Sequence, residues 1–553
     1  MEETKWTIKT NENPKTSEEL MDLLLKNRLK TFTEKQEFLS PLHPKDFIEK
    51  DSEFIEVKKH AKKASEIIKK FIKKNEKIVI YGDYDVDGVT STAIIWRTLY
   101  NKLGYKNIEP FIPNRFEDGY GLSKKVIEAL HETETKLIVT VDCGIVSAEE
   151  VDYAKSLGIT VIVTDHHQPD EKLPNADEIV HSTNATGAGI AWVIANELIK
   201  DENNYFLGLA AMGTIADLQP LLGFNRSIVY HGLKNLNENT PIGIKRLLIS
   251  AGINDVEIDT YHVGWQIGPR INATGRLNNA IDSLRLLCTD SKTQATKLAN
   301  EIEEINNIRR TQTLNGQTTA IEELDKNNIP PIIITSSENY HDGIIGLIAG
   351  RLMQTFNRPA IAMSINKKEQ IAKGSARSIK QIDLIKALRN HKNLFEKLGG
   401  HKMAAGFSIK LENVEKLKNE LYKDLENQIF PKEITIDVNL PINLITEETV
   451  LKINTLKPFG AGNNSPIFAS NNLSIFNYTR FGKENNHLKL FLEKDNIKIT
   501  AVGFGLGEFA ESFNNNGLID IAYQIVINEW NNQKTVELRI KDIHLKKVED
   551  QRL

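Results

Sequence analysis

Three segments place carboxylates or imidazoles directly behind apolar runs. KIVI leads into Tyr81-Gly82-Asp83-Tyr84-Asp85-Val86-Asp87-Gly88, KLIVT into Val141-Asp142-Cys143-Gly144, and TVIVT into Asp165-His166-His167. A fourth, Gly213-Thr214-Ile215-Ala216-Asp217, comes after the apolar stretch LGLAAM, and its small residues permit close approach of backbone and cofactor. Clustered carboxylates repel unless a cation neutralises them, and an oxygen-and-imidazole shell without thiolate suits Mn2+ or Mg2+. Several aspartates with a histidine suffice for two ions sharing a bridging carboxylate. Such ions, ~3.5 to 4 Å apart, can generate a hydroxide and stabilise an in-line displacement at phosphorus. Phosphodiester or phosphoanhydride hydrolysis is the expected chemistry. Each segment alone has a plainer explanation: an Asp after a strand is a common turn or helix-capping residue, Asp165 included, and paired histidines are often structural. The occurrence of all four in this order favours a metal centre.

The elements that must position these groups read as an α/β chain. Short apolar runs alternate with helical stretches from Lys77 onward (KIVIYGD, a helix near 90–103, IEPFI, a helix near 124–131, KLIVTVD, a helix near 148–157, TVIVTDHH), the pattern of βαβ units and a parallel sheet. Ligands of such sheets bind beyond the carboxyl ends of the strands, so the motifs should share one crevice. The expected organisation is an N-terminal extension and Lys-rich helix over 1–76, the metal-binding domain over 77–292, and a connector helix over 293–326. A smaller α/β domain over 327–430 and a β-barrel over 431–553 come next, the last from closely spaced short strands.

Phosphate-binding candidates lie outside the metal motifs. Gly268-Pro269-Arg270-Ile271-Asn272-Ala273-Thr274-Gly275-Arg276 offers two guanidinium groups that can match phosphate oxygens bidentately, with surface arginines in a turn as the competing reading. Gly374-Ser375-Ala376-Arg377-Ser378 and Gly399-Gly400-His401-Lys402 look like phosphate cradles, or simply tight turns. In the barrel, Lys483, His487, Lys489 and Trp530 are weaker candidates for strand contacts.

Composition excludes several classes. Of 553 residues 40% are hydrophobic and 26% charged, which rules out a fully disordered chain. Two cysteines exclude a disulfide framework and a cysteine-built metal site. No uncharged apolar run is long enough to span a bilayer, and the opening lacks a signal-peptide pattern, so a soluble cytoplasmic protein is expected. A net charge of −4 argues against a uniformly basic coat protein but leaves room for a local basic groove.

The DYDVDG, VDCG, DHH and TIAD series resembles the DHH phosphoesterase superfamily, which includes RecJ-type single-strand exonucleases, nano-RNases, cyclic dinucleotide phosphodiesterases and family II pyrophosphatases. GGHKMAAG resembles the signature of the DHHA1 domain. GPRINATGRL, YHDGIIGLIAGRL with RPAIAMS, and GSARS resemble RecJ exonucleases, and LKPFGAGN resembles the entry to their OB-fold. The likeness runs from KWTIKTNENP and SPLHPKDF to about Asp542. One departure is His181-Ser182-Thr183-Asn184, where the family typically has an Asn-Pro turn; another is that the chain stops after the OB-fold, without the extra domain some relatives carry.

The resemblance implies a metal-dependent exonuclease that degrades single-stranded DNA 5′ to 3′ into 5′-mononucleotides, in DNA repair and recombination. It implies two Mn2+ or Mg2+ ions. Asp85 and Asp142 would serve one, with Asp83 at it or just behind it, and Asp87, Asp142, His166 and Asp217 the other. Asp87, Asp142 and His167 would be catalytic, His167 facing the scissile phosphate. Arg270, Arg276, Ser375, Arg377, Gly399, Gly400 and His401 would grip the strand. Single-stranded DNA is the expected partner, with a helicase or single-strand-binding protein as further partners, no membrane, and a monomeric state. The alternative is a DHH-family phosphodiesterase acting on short oligonucleotides or cyclic dinucleotides, which would not need a barrel. A non-catalytic replication factor of the same fold is disfavoured by the intact ligand set, and a pyrophosphatase by the second domain.

Overall fold

The computed structural model of the chain describes residues 4–199, 206–325, 328–426, 428, 430–513, 517–530 and 533–546. It divides into two compact units, Pro44–Gln219 with His231–Phe430, and Met1–His43 with Pro220–Tyr230 and Pro431–Leu553. The segment 1–76, expected as one N-terminal piece, is therefore shared. Its helix Ser52–Lys74 belongs to the first unit, whereas the strand Lys5–Ile8 pairs in parallel with Glu433–Ile436 in the second.

The first unit opens with a sheet of five parallel strands, in the order Ile108–Phe111, Ile78–Tyr81, Leu137–Thr140, Thr160–Asp165, Glu178–His181. Ile78–Tyr81 and Leu137–Thr140 are buried throughout, which is why they read as unbroken apolar runs rather than alternating ones. From Ile78–Tyr81 the chain first adds a strand on one side and then continues on the other. That reversal leaves a crevice at the strands' carboxyl ends, where DYDVDG and VDCG emerge.

The helix expected near 90–103 starts earlier, at Val86, because the Asp85 carboxylate accepts the Gly88 N–H at 3.0 Å and caps it. It runs to Arg97 and packs against Gly187–Ile199 and Leu207–Ala216, so nearly all of it is buried. The connector is one 31-residue helix, Lys292–Glu322, capped by Ser291. Beyond it lies a second five-stranded sheet in the order Phe395–His401, Ala404–Lys410, Ile371–Arg377, Ala360–Asn366, Ile333–Ser337. Only the last two strands are parallel to each other.

In the second unit, Phe468–Phe481, His487–Lys494, Ile497–Gly503, Gln533–Leu545 and Leu518–Trp530 pair in turn, and Phe468–Phe481 with Leu518–Trp530 closes a five-stranded barrel. The Trp6 indole N–H donates to Asp542 Oδ2 at 2.7 Å and ties the N-terminal strand down. Arg226 is buried in this unit, its guanidinium donating to the carbonyls of Phe38, Leu456, Lys457 and Pro458 while stacking on the Phe38 ring.

Candidate metal centre and strand-binding cleft

Asp83, Asp85 and Asp87 come after the strand Ile78–Tyr81 in quick succession, and the cap at Asp85 carries Asp87 onto the first helical turn. Asp87 accepts the backbone N–H groups of Gly187 and Ala188 at 2.7 and 2.9 Å, from the start of the helix Gly187–Ile199. Gly213 lies against it: a Cβ there would sit 2.4 Å from Asp87 Oδ1. Asp142 has φ +63°, a left-handed conformation that a short polar side chain tolerates. Asp217 caps the carboxyl end of the helix Leu207–Ala216.

These elements bring the donors together. His166 Nε2 lies 3.1 Å from Asp142 Oδ1, 3.7 Å from Asp87 Oδ2 and 3.8 Å from Asp217 Oδ2. The Gln219 amide reaches His166 Nδ1 at 3.5 Å, which turns the other ring nitrogen toward the carboxylates. Three overlapping groups have donor atoms within 4.8 Å of one another: Asp83, Asp85 and Asp142; Asp87, His166 and Asp217; Asp142, His166 and His167. Asp83 Oδ1, Asp142 Oδ1, His166 Nε2 and Asp217 Oδ2 are buried without a hydrogen-bond partner. Burial, reinforced by Asp85, pushes Asp83 up to about 8 and Asp217 up to about 6. Burial and neighbouring carboxylates raise Asp87 and Asp142 well above the usual range. Burial, with His167 alongside, pulls His166 down to about 4. A neutral imidazole among carboxylates that lack counter-charge is a donor set that divalent cations satisfy.

Asp165 caps no helix. It accepts the N–H groups of Ile145, His166 and His167, and its Oδ1 lies 2.7 Å from His167 Nδ1. Burial alone would lower the pKa of His167, but Asp165, with Asp217 and Asp83, raises it to about 9. The Tyr120 hydroxyl lies 3.1 Å from His167 Nε2. The unusual segment that begins on the last residue of this sheet's edge strand has its own bracing: His181 Nε2 donates to the His167 carbonyl at 2.7 Å, and Glu53 accepts from Ser182 and Asn184.

The phosphate-binding candidates divide. His401 lines the same cleft of about 570 Å³ as Asp165, His166, His167 and Asp217. Arg276 stands on the helix Gly268–Leu277, not a turn, and that helix is locked to the carboxylate loop. The Asn272 carboxamide accepts the Val86 N–H at 3.2 Å, and a Cβ at Gly275 would meet Tyr84 O at 2.3 Å. Burial and the positive charge of Arg115, Arg309 and Arg377 lower Arg276 to about 10. Arg377 donates to Ser375 Oγ at 2.9 Å, and Gly346 makes room for both.

Arg270 departs from the sequence expectation. It is buried, with Nε and Nη2 on the Glu303 carboxylate at 2.5 and 3.3 Å and Nη1 on Gln266 O at 2.7 Å, so its donors are committed within the protein. The two glycine-rich segments read as loops are strands: Gly374–Arg377 in the interior of the second sheet and Gly399–His401 at its edge. At Gly399 a Cβ would meet nothing within 4 Å, and at Gly400, with φ +140°, it would strike Ala404 O at 2.4 Å.

Sequence reading passed over Arg115, Tyr120 and Gln219, and noted His181 only as part of a departure from the family's usual turn. The signal for the first two was an Arg and a Tyr among glycines in NRFEDGYG, just past a strand end. In the barrel it passed over the exposed Phe476, Tyr478 and Phe504. There Lys498 lies 5.0 Å from the Phe476 ring and Lys489 lies 5.6 Å from Phe491, a basic and aromatic face of the kind that stacks bases. The Trp530 side chain lies outside the described residues.

A parallel sheet with carboxylates and imidazole at its switch point, joined by a helix to a second sheet bearing Arg377 and His401, defines a metal-dependent phosphoesterase of the DHH type. Family models agree: residues 77–214 match the DHH family N-terminal domain, 330–427 the DHHA1 domain and 436–542 the RecJ OB domain. The single-stranded-DNA-specific exonuclease RecJ of Haemophilus influenzae is 32% identical, with 84% of this chain and 87% of that protein covered. RecJ of Bacillus subtilis is 35% identical over 89% of this chain, which spans 64% of that relative's length. The crystal structure of RecJ from Thermus thermophilus in complex with Mn2+ has a TM-score of 0.82 at 26% identity, covering 98% of this chain and 80% of that one. Its Mg2+ complex gives 0.75 at 25%, covering 98% and 79%. The chain belongs to the RecJ family of single-stranded-DNA-specific exonucleases. Among the described residues no helix is long and apolar enough to cross a membrane.

Proposed function

We propose that the protein hydrolyses single-stranded DNA from its 5′ end into 5′-mononucleotides, with two Mn2+ or Mg2+ ions. The observation that carries this reading is the convergence of unpartnered donors from Asp83, Asp142, His166 and Asp217 in a cleft that His401 also lines. Divalent ions bound there would neutralise the carboxylates and supply Lewis acidity for displacement by water at phosphorus. Asp83, Asp85 and Asp142 hold one ion; Asp87, His166 and Asp217 hold the other, with Asp142 shared. The closeness of Asp142 to both groups supports this division.

His167, kept protonated by Asp165, faces the scissile phosphate and stabilises charge on it or on the leaving oxygen. Arg276, Arg377 and Ser375 hold strand phosphates, His401 closes the cleft, and the open edge at Gly399 and Gly400 admits the backbone. Arg270 positions the helix carrying Arg276. We assign the metals to residues 77–292, the connector to 293–326, the strand grip to 327–430 and further strand contacts to the barrel. The expected setting is the cytoplasm, as a monomer acting on strands opened by a helicase or covered by single-strand-binding protein.

The test is degradation of 5′-labelled and 3′-labelled single strands beside a blunt duplex, with Mn2+ or Mg2+ and with chelator, using Asp142→Ala as control. Early mononucleotide release from the 5′ label that needs both metal and Asp142 is expected. Turnover of dinucleotides or cyclic dinucleotides without strand degradation would overturn the reading.

A further inference from the structure

The connector helix carries a guanidinium with a buried, unpartnered nitrogen. Arg309 sits on Lys292–Glu322, and its Nε is buried with no hydrogen-bond partner. Glu303, six residues earlier, is the carboxylate acting on it, and Arg270 already engages both Glu303 oxygens. The other charges acting on Arg309 are positive: Arg351, Arg310 and Arg270. Arg276 in turn feels Arg115, Arg309 and Arg377, with Asp85 of the carboxylate loop opposing them more weakly. Burial and this mutual repulsion hold both Arg276 and Arg309 down at about 10.

The guanidinium groups come from separate parts of the unit. Arg115 and Arg276 belong to the metal-binding part, Arg309 to the connector, and Arg351 and Arg377 to the elements of the second sheet. Gathering partly buried like charges costs stability, and proteins retain such arrangements where function requires them. Buried guanidinium calls for oxyanions, and phosphate is the oxyanion it matches best.

We propose that Arg309, together with Arg276, seats a phosphate group of the bound strand, so that the connector helix is part of the nucleic-acid path as well as a spacer. The inference rests on the strand-degrading reading above. It differs from a structural role in one respect: a residue retained for packing stabilises the ligand-free protein, whereas one retained for phosphate does not.

Full-length wild type, Arg309→Gln and Arg309→Lys are compared in chelator, where no turnover occurs, by anisotropy of a fluorescent oligo-dT across a salt series and by thermal unfolding without ligand. Arg309→Gln should bind roughly tenfold more weakly at low salt. Its log–log salt slope should fall by about 0.7, the value for one single-strand phosphate contact. It should unfold at or above the wild-type temperature, and Arg309→Lys should keep the wild-type slope. An unchanged slope in Arg309→Gln overturns the assignment, and a lowered unfolding temperature with the slope intact marks Arg309 as structural. Wild type that shows no salt-dependent strand binding would instead defeat the functional reading on which the inference rests.

Discussion

Replacing Glu303 by Ala tests whether Arg270 is a strut or a phosphate ligand. The side chains of Arg270 and Glu303 are 7% and 16% exposed, and the guanidinium's other acceptors are the neutral Gln266 O at 2.7 Å and Gln266 Oε1 at 3.3 Å. Removing the carboxylate leaves a buried, uncompensated charge, which costs about 3–5 kcal/mol. With an unfolding entropy of ~2 cal/mol/K per residue over a unit this large, that lowers its melting temperature by roughly 5 °C. Arg270→Met should cost less, and Arg270→Met with Glu303→Leu should recover much of the loss because no lone charge remains. Scanning calorimetry reads the stability, and a salt titration of strand binding reads the phosphate contacts. Wild-type melting together with a flattened salt slope in Arg270→Met would refute the strut and return Arg270 to the strand grip.

Asp142→Ala should abolish metal-dependent turnover and remove the Mn2+-induced rise in melting temperature, which in the wild type is worth about 2.7 kcal/mol at a hundredfold excess over Kd; calorimetry with and without Mn2+ checks it. Asp83 and Asp217 bind protons more tightly folded than unfolded, so their contribution to the stability of the metal-free protein is full below about pH 4 and declines as pH rises through about 6 and 8. For Asp217 alone the decline is roughly 3 kcal/mol, and saturating Mn2+ should abolish it in urea titrations at several pH values. Gly213→Ala would place a methyl 2.4 Å from Asp87 Oδ1 and 2.6 Å from Thr90 Oγ1; a stability loss of about 1–3 kcal/mol and a larger proportional loss of turnover should appear together.

The metal motifs were legible because parallel strands announce themselves as apolar runs and deliver the residues after them to one end of a sheet. The strand-end pattern was enough to draw the three sets after Tyr81, Val141 and Thr164 into one crevice on paper, and the family resemblance added Asp217 and chose His166 as a ligand. What the sequence did not disclose depends on partners distant in the chain. Arg270 reads as a phosphate clamp until Glu303 is seen beside it, and Asp165 reads as a helix cap until His167 turns back onto it. Glycine-rich GSARS and GGHK read as loops because glycine usually marks turns, yet here glycines make room inside a sheet: Gly374 admits the Phe407 ring. The pairing of Lys5–Ile8 with Glu433–Ile436 leaves no local trace in either segment.

That last pairing bears on how the protein is made. The chain passes between the two units four times, near residues 43, 219, 230 and 430, so the barrel unit is assembled from three separated stretches. A ribosome emits the N-terminal stretch first and, at about 5–20 residues per second, needs on the order of 20–90 s to reach the strand that receives it. During that interval the helix Ser17–Lys26 displays Leu20, Leu23 and Leu24, which are buried only in the finished barrel unit, while the catalytic unit already has its whole sequence by residue 430. The apolar face of that helix thus stays without its core until the last stretch is made, and the barrel closes last.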